Sequence, residues 1–176
     1  MTQRTHEPMH APETSIEHLA TAEALIVSTL RLWVAPHARP HETHPNWKTG
    51  LHVAGVAPWG IHAFDTLLWI AVAAGQRELD VRCEHCPSLG RDEAWMLQMV
   101  NHVQFELQPE AFGILGGWMP DAATRAAMHH LTLFGHALNN AGMIVELPAG
   151  GARLLPAARA ARPTRPRGRG ERVTLH

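Results

Sequence analysis

The sequence predicts a mostly α-helical protein: an irregular bundle of about four helices followed by a disordered Arg/Pro/Gly-rich C-terminal tail. Three observations predict it. Apolar residues recur at helical spacing in four segments, strand-like alternation is almost absent, and Gly, Pro, Ala and Arg dominate beyond Pro148. The chain divides accordingly into a disordered lead-in over 1–13, a helical domain over 14–148 and a disordered basic tail over 149–176. The tail composition buries too little apolar surface to offset the entropy of ordering it. A body of roughly 130 to 140 residues buries well over half of its unfolded surface and needs no disulfide or metal to fold.

The first helix is capped by Thr14 or Ser15. It carries Leu19, Leu25, Ile26, Val27, Leu30 and Trp33 at helical spacing, and is expected to end before Pro36. His37 to Gly50, with Pro40 and Pro45, reads as a loop. Trp59 to Ala74 is the central helix, apolar on nearly all sides and stopped at Gly75. Leu79 to Arg82 is a short extended segment. Asp92 then caps a helix whose inner face is Ala94, Met96, Leu97, Val100, Val103 and Leu107 and which ends at Pro109. Glu110 to Leu115 is a short helical turn. Pro120 or Asp121 opens the last helix, with Gly142 at the position just past its end. Met143 to Leu147 is an apolar segment that lies back on the body.

Composition narrows the class of function. Two cysteines exclude a disulfide-rich secreted scaffold, and Met1 to Thr14 has no apolar core of a secretory signal. The expected location is the cytoplasm, where thiols stay reduced. The longest uninterrupted apolar run, Thr66 to Ala74, is too short for a spanning helix, so no membrane is expected. The net charge of −1 conceals an asymmetry: residues 153–176 hold seven arginines against Glu171 alone, +6, leaving 8 bases and 15 acids, −7, in residues 1–152. Tails of that kind dock on anionic partners.

The sharpest local feature is Cys83-Glu84-His85-Cys86-Pro87. Two thiols three positions apart can grip one tetrahedral zinc ion, because a tight turn brings both sulfurs to one side. Two further ligands are then required, and His62 and His85 lead the histidines and carboxylates that could supply them. The alternatives are an inert pair of reduced cysteines and a redox dithiol, the latter calling for a helix N-terminus near the thiols. A thioredoxin fold needs a sheet that this sequence does not offer. His62 and Asp65 share a face of the central helix, as a carboxylate orienting a histidine would; the competing reading has Asp65 bonding a Trp indole. His37, His41 and His44 read as a polar surface loop.

No nucleophile elbow, zinc-protease helix, phosphate-binding loop or dinucleotide fingerprint is present. The leading expectation is therefore a small, non-enzymatic zinc-binding accessory or regulatory protein with Cys83, Cys86, His62 and His85 as ligands, joined by a protein partner or a second copy. A second reading is an adaptor that binds nucleic acid through Arg162, Arg165, Arg167 and Arg169. A third is an enzyme using His62 and Asp65.

Overall fold

Helical spacing of apolar side chains produces six α-helices, and among the described residues there is no strand. The computed structural model describes residues 8, 10, 11 and 13–146; the tail over 149–176, including Arg162, Arg165, Arg167 and Arg169, lies outside them. After a 3-10 turn over Ile16–His18, capped by the Ser15 hydroxyl, come α1 (Thr21–Ala38), α2 (Lys48–Val53) and α3 (Pro58–Ala74). Then follow α4 (Arg91–Gln104), α5 (Gln108–Leu115) and α6 (Asp121–Asn140). No helix among the described residues is long and apolar enough to cross a membrane.

The centre of the bundle is the α3–α6 pair, the most extensive helix contact in the molecule. Gly60 near the start of α3 faces Ala137 near the end of α6, and Phe64 meets Phe134 with ring centroids 4.7 Å apart, so the two helices run antiparallel. A Cβ at Gly60 would lie 2.1 Å from that of Ala137, so only glycine permits this close approach. α4 lies against the other side of α6 and buries Met96, Leu97, Met99, Val100 and Val103. α1 closes the core with Ile26, Val27, Leu30 and Trp33.

Several boundaries differ from the sequence reading. α1 continues past Pro36 to Ala38. The ring is exposed on the outer side, the turn after it is closed by Arg39 N–H donating to Ala35 O, and His37 packs on Trp33 and Trp69. The loop after α1 contains α2. Gly90, not Asp92, is the N-cap of α4, and Asp92 sits buried inside its first turn. The helix stops at Gln104, well before Pro109, through Glu106 in the left-handed region at φ 60°; Pro109 instead occupies the first turn of α5. Leu79–Arg82, expected to be extended, forms no strand among the described residues, and Val81 N–H turns back onto Leu79 O at 3.1 Å.

The end of α6 follows expectation. Gly142, at φ 72°, directs its N–H to Asn139 O at 3.0 Å, and Met143 N–H reaches Leu138 O at 2.9 Å, the two bonds of a Schellman cap. The chain after it does lie back on the body. Asn101 donates to Val145 O at 2.7 Å, while Gln104 donates to Met143 O and accepts from Val145 N–H. Val145 is fully buried as a result.

Candidate functional site

Between α3 and α4 the chain runs from Gly75 to Gly90 without a helix, and its shape is imposed from α4. The first turn of a helix leaves backbone N–H groups unpaired and favours negative charge. Here it supplies two wholly buried carboxylates, Asp92 and Glu93, and both reach back into the loop. Asp92 takes both terminal nitrogens of Arg77, at 2.7 and 2.6 Å, and the backbone N–H of Asp80 at 2.6 Å. The hydrogen bond to Asp92 raises the Arg77 pKa above its already high ordinary value.

Glu93 is the hub of the second half. Its Oε2 accepts from Gly90 N–H at 2.8 Å and its Oε1 from Arg82 N–H at 3.0 Å. It also receives Nε and Nη2 of Arg31, from α1, at 2.7 and 2.8 Å. Two further guanidinium hydrogens go to carbonyls of the same loop, Nη1 to Cys86 O at 2.6 Å and Nη2 to Ser88 O at 2.8 Å. Side-chain exposure is 2 % for Arg31 and 0 % for Glu93, so this is a buried ion pair whose geometry is satisfied by loop backbone on both partners.

Two further elements fix the turn. The N-terminal stretch lies antiparallel to it: Ile16 N–H donates to Pro87 O at 2.8 Å, Leu89 N–H to Thr14 O at 2.9 Å and Glu13 N–H to Leu89 O at 3.1 Å. The Glu13 carboxylate takes the Ser88 hydroxyl at 2.8 Å and also pairs with Arg82. From the other side, Arg39 and His44 both converge on Glu84 Oε1, at 3.2 and 3.1 Å, which compensates the acid nearest the sulfurs. Cys83 and Cys86 sit at the surface of this frame, joined as a disulfide, with Cys86 N–H closing the turn on Cys83 O at 3.1 Å. Cys83 is exposed and Cys86 half-buried.

A groove of about 860 Å³ lies beside the turn, between α1, the C-terminal half of α3 and residues 75–81. Leu30, Val34, Leu68, Leu79 and Val81 line it. Trp33 and His37 also line it and meet Trp69 tilted or edge-on, with ring centroids 4.8 to 5.4 Å apart; Val72 of the lining and Trp69 beside it are 62 % and 51 % exposed. Val81 lies two residues before Cys83.

The structure thus brings Cys83 and Cys86 together, but not the other ligands proposed with them. Their thiols, expected reduced, are bonded to each other. His85 is exposed on the turn. His62 is exposed on α3; on α6 the His130 pKa is lowered by partial burial first, then by His129 and His62. Among the described residues no three His, Cys, Asp or Glu side chains gather to hold a metal ion. Asp65 accepts from the Trp33 indole N–H at 2.8 Å, as its competing reading has it. Of the loop histidines, His41 is exposed and His44 is tied to Glu84 and to Arg39 O.

Sequence reasoning missed Arg31, Glu93, Arg39 and Glu84 as the residues that shape the site. One signal was available: Arg31 falls among Val27, Leu30 and Val34 on an apolar stretch, where a charge must find a partner. Comparison with family models, with curated proteins and with solved structures returns no match.

Proposed function

We propose that Cys83 and Cys86 form a thiol–disulfide exchange site. The observation that carries this reading is that the Arg31–Glu93 pair and the Thr14–Ile16 backbone already hold the turn, so the disulfide is redundant as a staple. A bridge with a sequence separation of 3 removes little unfolded-chain entropy, roughly 2 kcal/mol, less than long loops supply. Held thiols of this kind close and open without rebuilding their surroundings.

The exposed sulfur sets the order of events. A thiolate of a dithiol partner attacks Cys83 Sγ, the Cys83–Cys86 bond breaks, and Cys86 leaves as a thiolate. The partner's second thiolate then attacks its own sulfur in the mixed disulfide and releases Cys83. Two electrons pass into the Cys83–Cys86 pair, the partner becomes a disulfide, and the two protons given up by its thiols are taken up from solvent by the new cysteines. The described residues are helical and contain no sheet, so the proposed exchange does not call on a thioredoxin scaffold.

The test is redox titration of the full chain in glutathione buffers, reading thiols by alkylation and mass. Exchange predicts a reversible two-electron transition that Cys83→Ser abolishes; a pair that stays oxidised in excess dithiothreitol contradicts it. Zinc binding by an accessory protein is the second reading, favoured by the exposed His85 between the same two sulfurs. Because no third His, Cys, Asp or Glu gathers with these two cysteines among the described residues, a second chain would supply the missing ligands. Metal analysis of reduced protein then predicts zinc that is lost with either cysteine, and a metal-free reduced protein excludes it.

A further inference from the structure

We infer that His44 is a proton-operated tie between the loop after α1, residues 39–47, and the Cys83–Cys86 turn, and that it holds both only as the imidazolium cation. The inference does not rest on the thiol reading. The His44 side chain is 6 % exposed, so its ring finds its partners within the protein. Nδ1 lies 3.1 Å from Glu84 Oε1, and Nε2 lies 2.9 Å from Arg39 O, the backbone carbonyl at the end of α1. A carbonyl only accepts, and so does an ionised carboxylate. Neutral imidazole has a single N–H, so it would satisfy one of these oxygens and turn a lone pair on the other. The cation has two and donates to both. The closing carbonyls of a helix also favour a positive charge.

The alternative places the proton on Glu84, whose hydroxyl would then donate to Nδ1. The neighbouring charges oppose it. Arg39 Nη2 donates to the same Oε1 at 3.2 Å, and a guanidinium beside a carboxylate favours the ionised form. Glu42 shares that guanidinium, taking Nη1 at 2.8 Å. With Arg39 at +1 and Glu42 and Glu84 at −1 each, the cluster is −1 without the His44 proton and neutral with it. Of the other histidines nearby in sequence, His37 packs on Trp33 and Trp69, while His41 and His85 are exposed. Loss of the proton removes one of the two His44 bonds and leaves the Arg39–Glu84 pair to hold loop and turn together. It also leaves an uncompensated negative charge one residue from Cys83.

The test follows the His44 ring nitrogens in the oxidised full chain by long-range proton–nitrogen NMR, the signals being assigned by their absence in His44→Gln. Amide hydrogen exchange over 39–47, expressed as protection factors, is read alongside. At about pH 5.5 both ring nitrogens are expected to carry a hydrogen. At about pH 8.5 one is lost, and protection over 39–47 falls about tenfold. Glu84→Gln separates charge from structure: its amide can donate to a neutral Nδ1, so the loop should stay protected at both pH values. A neutral His44 ring at the acidic value, wild-type protection that does not change with pH, or a fall that persists in Glu84→Gln overturns the proposal. None of these outcomes bears on the glutathione titration, so the two readings fail separately.

Discussion

The α3–α6 centre and the Cys83–Cys86 loop are held by opposite kinds of force. The first is aliphatic and aromatic contact between two regular helices, dense enough that Gly60 admits no side chain against Ala137. The second buries Leu89 and rests Leu79 and Val81 against the core, but it is hung on the carboxylates Asp92 and Glu93 and on the guanidinium of Arg31. Apolar packing is distributed, so losing one contact leaves the rest. A polar tie is concentrated, so losing one partner strands a buried charge. The Cys83–Cys86 turn is therefore both firmly tied and singly vulnerable.

The most damaging change expected is the removal of one partner of that tie. Arg31→Ala or Glu93→Ala should cost about 3–5 kcal/mol in chemical denaturation, because the remaining charge stays buried without compensation. The double change Arg31→Met, Glu93→Leu should recover part of the loss while leaving the turn loose, which separates burial of charge from positioning. In the α3–α6 centre, Gly60→Val should cost about 1–3 kcal/mol by forcing α3 away from Ala137, with far-ultraviolet circular dichroism unchanged. A cost larger than that of Arg31→Ala would reverse the comparison. At the α6 cap, Gly142→Ala places a Cβ at φ 72° and should cost about 1 kcal/mol.

The smallest effect belongs to His130. Its pKa is lowered in the folded protein by partial burial first, then by His129 and His62. A histidine with a depressed folded pKa contributes stability above its unfolded pKa, and that contribution is lost as pH falls through the folded value. Denaturation midpoints should therefore decline below about pH 6.5, and His130→Gln should reduce the slope. A midpoint that rises on acidification would contradict the sign.

What the sequence disclosed and what it hid follow the same division. The helices of the centre were legible because burial writes itself locally: Leu67, Leu68 and Ala71, or Leu131, Phe134 and Leu138, recur at helical spacing. Gly142 was legible because a helix end demands that backbone conformation. The break at Phe105–Leu107 was not, since Glu106 in the left-handed region has no local compositional sign. Pro36 misled because a proline in the last turn, with its ring outside, costs less than one mid-helix. The Cys-x-x-Cys turn announced its own importance, but its supports lie 62 residues apart for Arg31 and Glu93 and 45 for Arg39 and Glu84. No periodicity records a pairing at that separation. His62, expected as a ligand, is exposed on α3, and no metal-ligating group forms around it among the described residues.

The central claim is that the frame, not the disulfide, holds the turn. Guanidinium unfolding of the full chain, oxidised and then fully reduced, measures it directly. The account predicts that the reduced protein keeps its helical signal and a cooperative transition, losing no more than about 2 kcal/mol. A reduced protein that loses its cooperative transition, or falls by twice that amount, would show the disulfide to be a structural staple.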